Sequence, residues 1–129
     1  MTNYKRWWSV LALVMLSLGV TSGCSSTRGP APVDATVARG SLQKFLDTWK
    51  AGKPLAQLQE VDPSLVANDE DWSAGRKLVS YKVLDNHFND GSNLHVKTVL
   101  KLRGKKGKPR EQEVTYVVST SPRVTIFRQ

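Results

Sequence analysis

Apolar residues in this 129-residue chain change their spacing near Trp72, and a chain satisfies two hydrophobic periods only by forming two kinds of element. Upstream, Leu42, Phe45, Leu46 and Trp49 follow the i, i+3, i+4, i+7 spacing of one helical stripe. Downstream, Leu94, Val96, Thr98, Leu100 and Leu102 alternate with His95, Lys97, Val99, Lys101 and Arg103. That period of two belongs to a strand with one buried and one wet face. Helices first and strands afterwards predict an α+β fold.

The punctuation fits this division. Asp34 can cap a helix running from Ala35 to about Ala51, which Gly52 stops and Pro54 forbids from continuing. Leu55, Leu58 and Val61 suggest a short second helix closed by Asp62-Pro63, and Ser64 to Asp71 reads as an irregular crossing segment. Four antiparallel strands are expected at Leu78 to Leu84, Leu94 to Leu102, Glu113 to Val118 and Val124 to Phe127. Asn89 to Ser92, Gly104 to Pro109 and Ser119 to Pro122 supply the hairpin turns. The long helix should lie across one face of a curved four-stranded antiparallel sheet, with Phe45 and Trp49 packed by inward strand residues. Val124 to Phe127 would be an edge, so a structural subunit pairing through its sheet is one functional alternative.

Over about residues 35 to 128 this element order resembles the small nuclear-transport-factor-2-like (SnoaL-like) and cystatin-like folds, in which a sheet wraps a helix. The first of these families places Asp, His or Tyr in a helix-sheet cavity. The resemblance therefore implies a pocket lined by Trp49, Tyr81 and Tyr116, and a second alternative function as a ligand-binding or enzymatic domain.

The N-terminus carries an export pattern. Lys5 and Arg6 precede an apolar run from Ser9 to Val20, followed by the small residues Thr21-Ser22-Gly23 and the one cysteine of the chain, Cys24. A spanning helix needs about 20 apolar residues, so this run is too short to cross a bilayer comfortably. Ser22, Gly23 and Cys24 resemble the lipobox of bacterial lipoprotein precursors, with Thr21 where that family prefers Leu. The resemblance implies a signal peptide over residues 1–23, a lipid on Cys24, and anchorage on the periplasmic or cell-surface side of a membrane. Residues 24–33, rich in Ser, Gly and Pro, would form the tether, and residues 34–129 a single domain.

Charge divides as unevenly as hydropathy. The whole chain is +8; from Cys24 to Gly75 the balance is −2, and from Arg76 to Gln129 it is +8. Lys101, Arg103, Lys105, Lys106, Lys108 and Arg110 form the densest run and mark a contact for anionic lipid or an anionic envelope polymer. No aromatic residue interrupts Lys101 to Arg110, so the stacking used in single-strand recognition is missing, and nucleic acid is not an expected partner. A basic tip and an acyl chain together could give two-signal membrane adhesion.

Catalytic signatures are weak. Asp85, His87, Asn89 and Asp90 fail the calcium-loop spacing, since Gly91 falls seventh and Val96 twelfth; they read as a polar hairpin loop. Asn68 to Asp71 reads as a solvated turn before a strand. His87 falls in that loop and His95 on the wet face of a strand, with no Gly-x-Ser-x-Gly elbow or HExxH motif in the chain. No catalytic residue, metal or cofactor is assigned, and the leading expectation is a non-enzymatic binding or interaction module.

Overall fold

The computed structural model describes residue 29 and residues 31–129; the signal segment and Cys24 lie outside the described residues. Helix α1 spans Ala35–Lys50, one residue short of the expected end. The Asp34 carboxylate accepts from the Thr36 and Val37 amides at 2.9 and 3.0 Å, satisfying donors that the first helical turn leaves free. Ala38, Leu42, Phe45, Leu46 and Trp49 form its buried stripe. Gly52, at φ +78, turns the chain out of the helix in a conformation that a side chain would strain. Helix α2 (Leu55–Val61) follows, buried only at Leu58.

The fold is α+β, but the sheet has five strands and is mixed, not four-stranded and antiparallel. Strands β1 (Val66–Asn68), β2 (Lys77–Asn89), β3 (Asn93–Arg103), β4 (Arg110–Ser119) and β5 (Thr125–Arg128) lie in the order β1-β5-β4-β3-β2. Strands β2 to β5 form the antiparallel meander, while β1 pairs with β5 in parallel. The segment Ser64 to Asp71, expected to be irregular, thus holds β1 and the start of helix α3 (Glu70–Ser73). Three residues are too few to display an alternation, and the partner of β1 lies almost sixty positions away. As a result β5 is interior, and the edges are β1 and β2.

Strand β2 also runs further than its pattern suggests. Asp85 and His87 lie within it rather than in a loop. Its register on β3 shifts between Leu78 and Ser80 and again between Val83 and His87, and such bulges move successive side chains off the simple two-residue period.

Helix α1 covers the face of β3 that carries Leu94, Val96, Thr98, Leu100 and Leu102, all buried. Phe45 meets Trp72 edge-on at 5.1 Å and Tyr116 at 5.6 Å, and Trp49 stacks on Trp72 at 5.5 Å with rings 6° from parallel. Both indole N–H groups are fixed: Trp49 Nε1 donates to the Arg76 carbonyl at 2.8 Å and Trp72 Nε1 to the Lys53 carbonyl at 3.0 Å. Side chains fill the space between helix and sheet.

Two ends of the sheet become distinct. The Val33 amide donates to the Gly91 carbonyl at 2.8 Å and the Asp34 amide to Thr120 Oγ1 at 2.9 Å, so the chain enters beside the β2–β3 and β4–β5 turns. The β3–β4 turn lies at the opposite end, to which α1 also runs.

Among the described residues Thr98 Oγ1, on the face packed under α1, is buried without a hydrogen-bond partner. A lone hydroxyl there has lost its water and gained nothing in return. Thr98→Val, close in shape and β-branched, should raise stability by about 1 kcal/mol in urea denaturation. An unchanged or lower midpoint would show that the hydroxyl is satisfied.

Candidate functional site

The β3–β4 hairpin gathers the basic run. Lys101 pairs across the ladder with Glu111, Leu102 with Arg110, and Lys77 of β2 with Arg103. Every residue from Arg103 to Arg110 is exposed, and Gly107 at φ +117 lets the turn close. Among the described residues none of Lys77, Lys101, Arg103, Lys105, Lys106, Lys108 or Arg110 makes an ion pair; Glu113 is engaged by Lys97, and Glu111 lies across the ladder from Lys101 without an ion pair. The six sequence-predicted cations therefore sit at one end of the molecule, with Arg76 and Lys77 beside them. Their mutual repulsion is relieved by counter-ions in solution or by a polyanion.

Beside the hairpin, Trp49, Lys53, Leu55, Trp72, Arg76 and Lys77 line an open cleft of about 430 Å³. Its aromatic floor presents ring carbon, because both indole donors are committed to backbone carbonyls.

Trp49, Tyr81 and Tyr116 do not share a pocket. Trp49 forms part of that floor, Tyr116 is fully buried, and Tyr81 lies at the β2 side of α1, donating to Asp47 Oδ1 at 2.6 Å. Partial burial and the Asp47 carboxylate push the Tyr81 phenol up to about 12. Burial, with the negative Asp69 beside it, holds the Tyr116 phenol far above its ordinary range. Neither hydroxyl supplies a phenolate near neutrality, and Tyr116 has no route to a substrate.

What binds Tyr116 was not legible as a site. Asp69 and Asp71 are buried, so the acidic run is not the solvated turn it resembles. Asp69 caps α3, its Oδ1 accepting from the Asp71 and Trp72 amides at 2.8 and 3.1 Å while Oδ2 accepts from Tyr116 at 2.7 Å. Arg128 of β5, with a side chain 9% exposed, hydrogen-bonds Asp71 and lies 3.6 Å from Asp69; Arg76 binds the other Asp71 oxygen at 2.7 Å. Burial disfavours the Arg128 charge, but the Asp71 hydrogen bond and the two carboxylates outweigh it and raise its pKa. The cluster is saturated and closed, which makes it a brace rather than a reactive centre. An Asp followed by two acids at a helix start was its one signal in the sequence.

The remaining polar residues serve the β2–β3 turn. Asn89 accepts from the Gly91 amide at 2.8 Å, and Asp90 accepts from the Ser92 and Asn93 amides and meets His95 Nε2 at 2.9 Å. The His95 contact, followed by the turn amides, holds the Asp90 carboxyl well below the usual carboxylate range. His87 lies against the Arg39 guanidinium, 2.6 Å from its ring Nδ1. Among the described residues no three His, Cys, Asp or Glu side chains gather as a metal site, and no helix is long and apolar enough to cross a membrane.

Removing Arg128 would leave Asp71 Oδ2 without a partner and take from the two buried carboxylates their one buried countercharge. Arg128→Ala should cost about 3–5 kcal/mol in chemical denaturation, against about 1 kcal/mol for Tyr116→Phe, which removes one donor. Equal small losses would mean that the cluster is solvated.

A phenol raised in the fold leaves stability intact below the unfolded value near 10 and erodes it as pH climbs from there toward the folded value. Phenolate absorbance should show a transition near pH 12 that Tyr81→Phe removes and Tyr116→Phe keeps. Persistence of that transition in the Tyr81→Phe protein would reject the assignment.

No family model matches this chain, and neither a curated protein nor a solved structure does.

Proposed function

We propose that this protein is an exported, lipid-anchored, non-enzymatic binding module that holds a polyanionic surface through its β3–β4 hairpin. The observation that carries the reading is the set of cations from Lys101 to Arg110, exposed or half-exposed and without acidic partners among the described residues. Selection for solubility alone would tolerate interspersed acids, whereas here, of seven cations counting Lys77, only Lys101 faces an acid across the ladder, Glu111. Cys24, following the short apolar run, is the proposed lipid attachment point, and residues 24–33 the tether.

Binding is favoured over catalysis because the two tyrosines of the proposed cavity are separated and hold their protons, and the helix-sheet interface is packed with side chains. Strand β1, parallel at the edge, is a departure from the simple meander.

Two experiments test the two halves of the reading. Cys24→Ala should block precursor processing or release the protein from the membrane fraction; unchanged fractionation and processing would reject the lipid. Purified protein should co-sediment with phosphatidylglycerol vesicles and retain alginate on a column at low salt. The Lys105→Glu/Lys106→Glu/Lys108→Glu variant should lose at least tenfold in affinity for both with its melting temperature unchanged. Equal binding by parent and variant would reject the hairpin as the contact.

A further inference from the structure

The basic hairpin and the point where the tether enters are at opposite ends of the sheet. Val33 is bonded to Gly91 at the β2–β3 turn, whereas the cations cluster around the β3–β4 turn. Strand β3 separates the two turns with 11 residues, a distance of roughly 36 Å at about 3.3 Å per residue. Helix α1 runs the same way, from the tether end to the basic end, where Trp49 meets the Arg76 carbonyl.

This separation decides between the two anionic partners. Fields from a charged bilayer decay over about 8–10 Å at physiological salt, so with the Val33 end toward the anchoring membrane a tip roughly 36 Å further on lies outside that field. The end that faces the anchoring membrane has little to attract anionic lipid: Asp34, Asp85 and Asp90 there oppose Arg39 and Arg123. Reaching lipid headgroups with the hairpin requires the domain to lie along the bilayer, which gives up part of the basic end to do so. At that far end Lys53 and Lys77 continue the cationic surface along the cleft, while Arg76 is held by Asp71, so charge extends beyond the hairpin to neighbouring sites, as a linear polymer requires.

We infer that the basic end binds a linear polyanion located beyond the anchoring membrane, a polymer carrying carboxylates or phosphodiesters, and does not bind the lipids of that membrane. The inference rests on the reading of Cys24 as the anchor and of the hairpin as the contact.

The test uses lipidated protein extracted from native membranes and reconstituted in supported bilayers of phosphatidylcholine, with and without phosphatidylglycerol, at physiological salt. Neutron reflectometry reads the thickness of the protein layer, and alginate is then added as the polyanion. The expected result is one protein-layer thickness on both bilayers and an outer alginate layer on both, with that layer lost in the Lys105→Glu/Lys106→Glu/Lys108→Glu variant. A protein layer that thins on phosphatidylglycerol and takes up no alginate there would overturn the inference, showing that the tip binds its own membrane. Protein washed from either bilayer would instead overturn the anchor, and equal alginate uptake by parent and variant would overturn the hairpin as the contact.

Discussion

The buried pairing of Arg128 with Asp69 and Asp71 locks together parts of the chain that the β1–β5 ladder brings side by side. Arg128 is the last residue of β5, Asp69 and Asp71 belong to the first turn of a four-residue helix, and Arg76 leads into β2. A helix of one turn has no stability of its own. Here its N-terminal amides are satisfied by Asp69, whose other oxygen is fixed by Tyr116 in β4. Buried carboxylates are costly unless charge and hydrogen bonds compensate them, and each oxygen of this pair has a partner. That requirement sets where α3 docks, and with it Trp72.

Trp72 then organises the core. It receives Phe45 on its edge and Trp49 on its face, so the C-terminal half of α1 is positioned by a residue from the crossing segment as well as by the sheet. The interior is thereby filled with aromatic side chains. With Phe45, Trp49, Trp72 and Tyr116 committed to packing, the charge asymmetry of the chain is expressed on the described surface as a basic end at the β3–β4 turn.

Much of this was legible in the amino acids. The stripe of α1, the alternation of β3 and the three hairpin turns follow from local spacing, and the basic run was visible as a run. Strand β1 was not, because a three-residue parallel strand has no period to display and its partner is distant in sequence. The burial of Asp69 and Asp71 was hidden for a related reason: isolated carboxylates look solvated until Arg128 and Tyr116 arrive from the far end of the chain. The residues of the pocket implied for Trp49, Tyr81 and Tyr116 are kept apart by separation, not by facing. Tyr81 and Tyr116 both point toward the helix side, yet β2 and β4 are separated by β3, and Phe45 occupies the space at Tyr116.

The two register shifts in β2 have a consequence beyond local geometry. This strand is 13 residues long and forms an outer edge, with Val79, Val83 and Phe88 exposed along it. A straight strand of that length is a template on which another chain can zip. The shifts break it into short stretches whose free amides and carbonyls do not continue in one line, so an incoming strand finds only a few bonds before the pattern fails. Copies of the domain at high concentration can thus remain separate molecules.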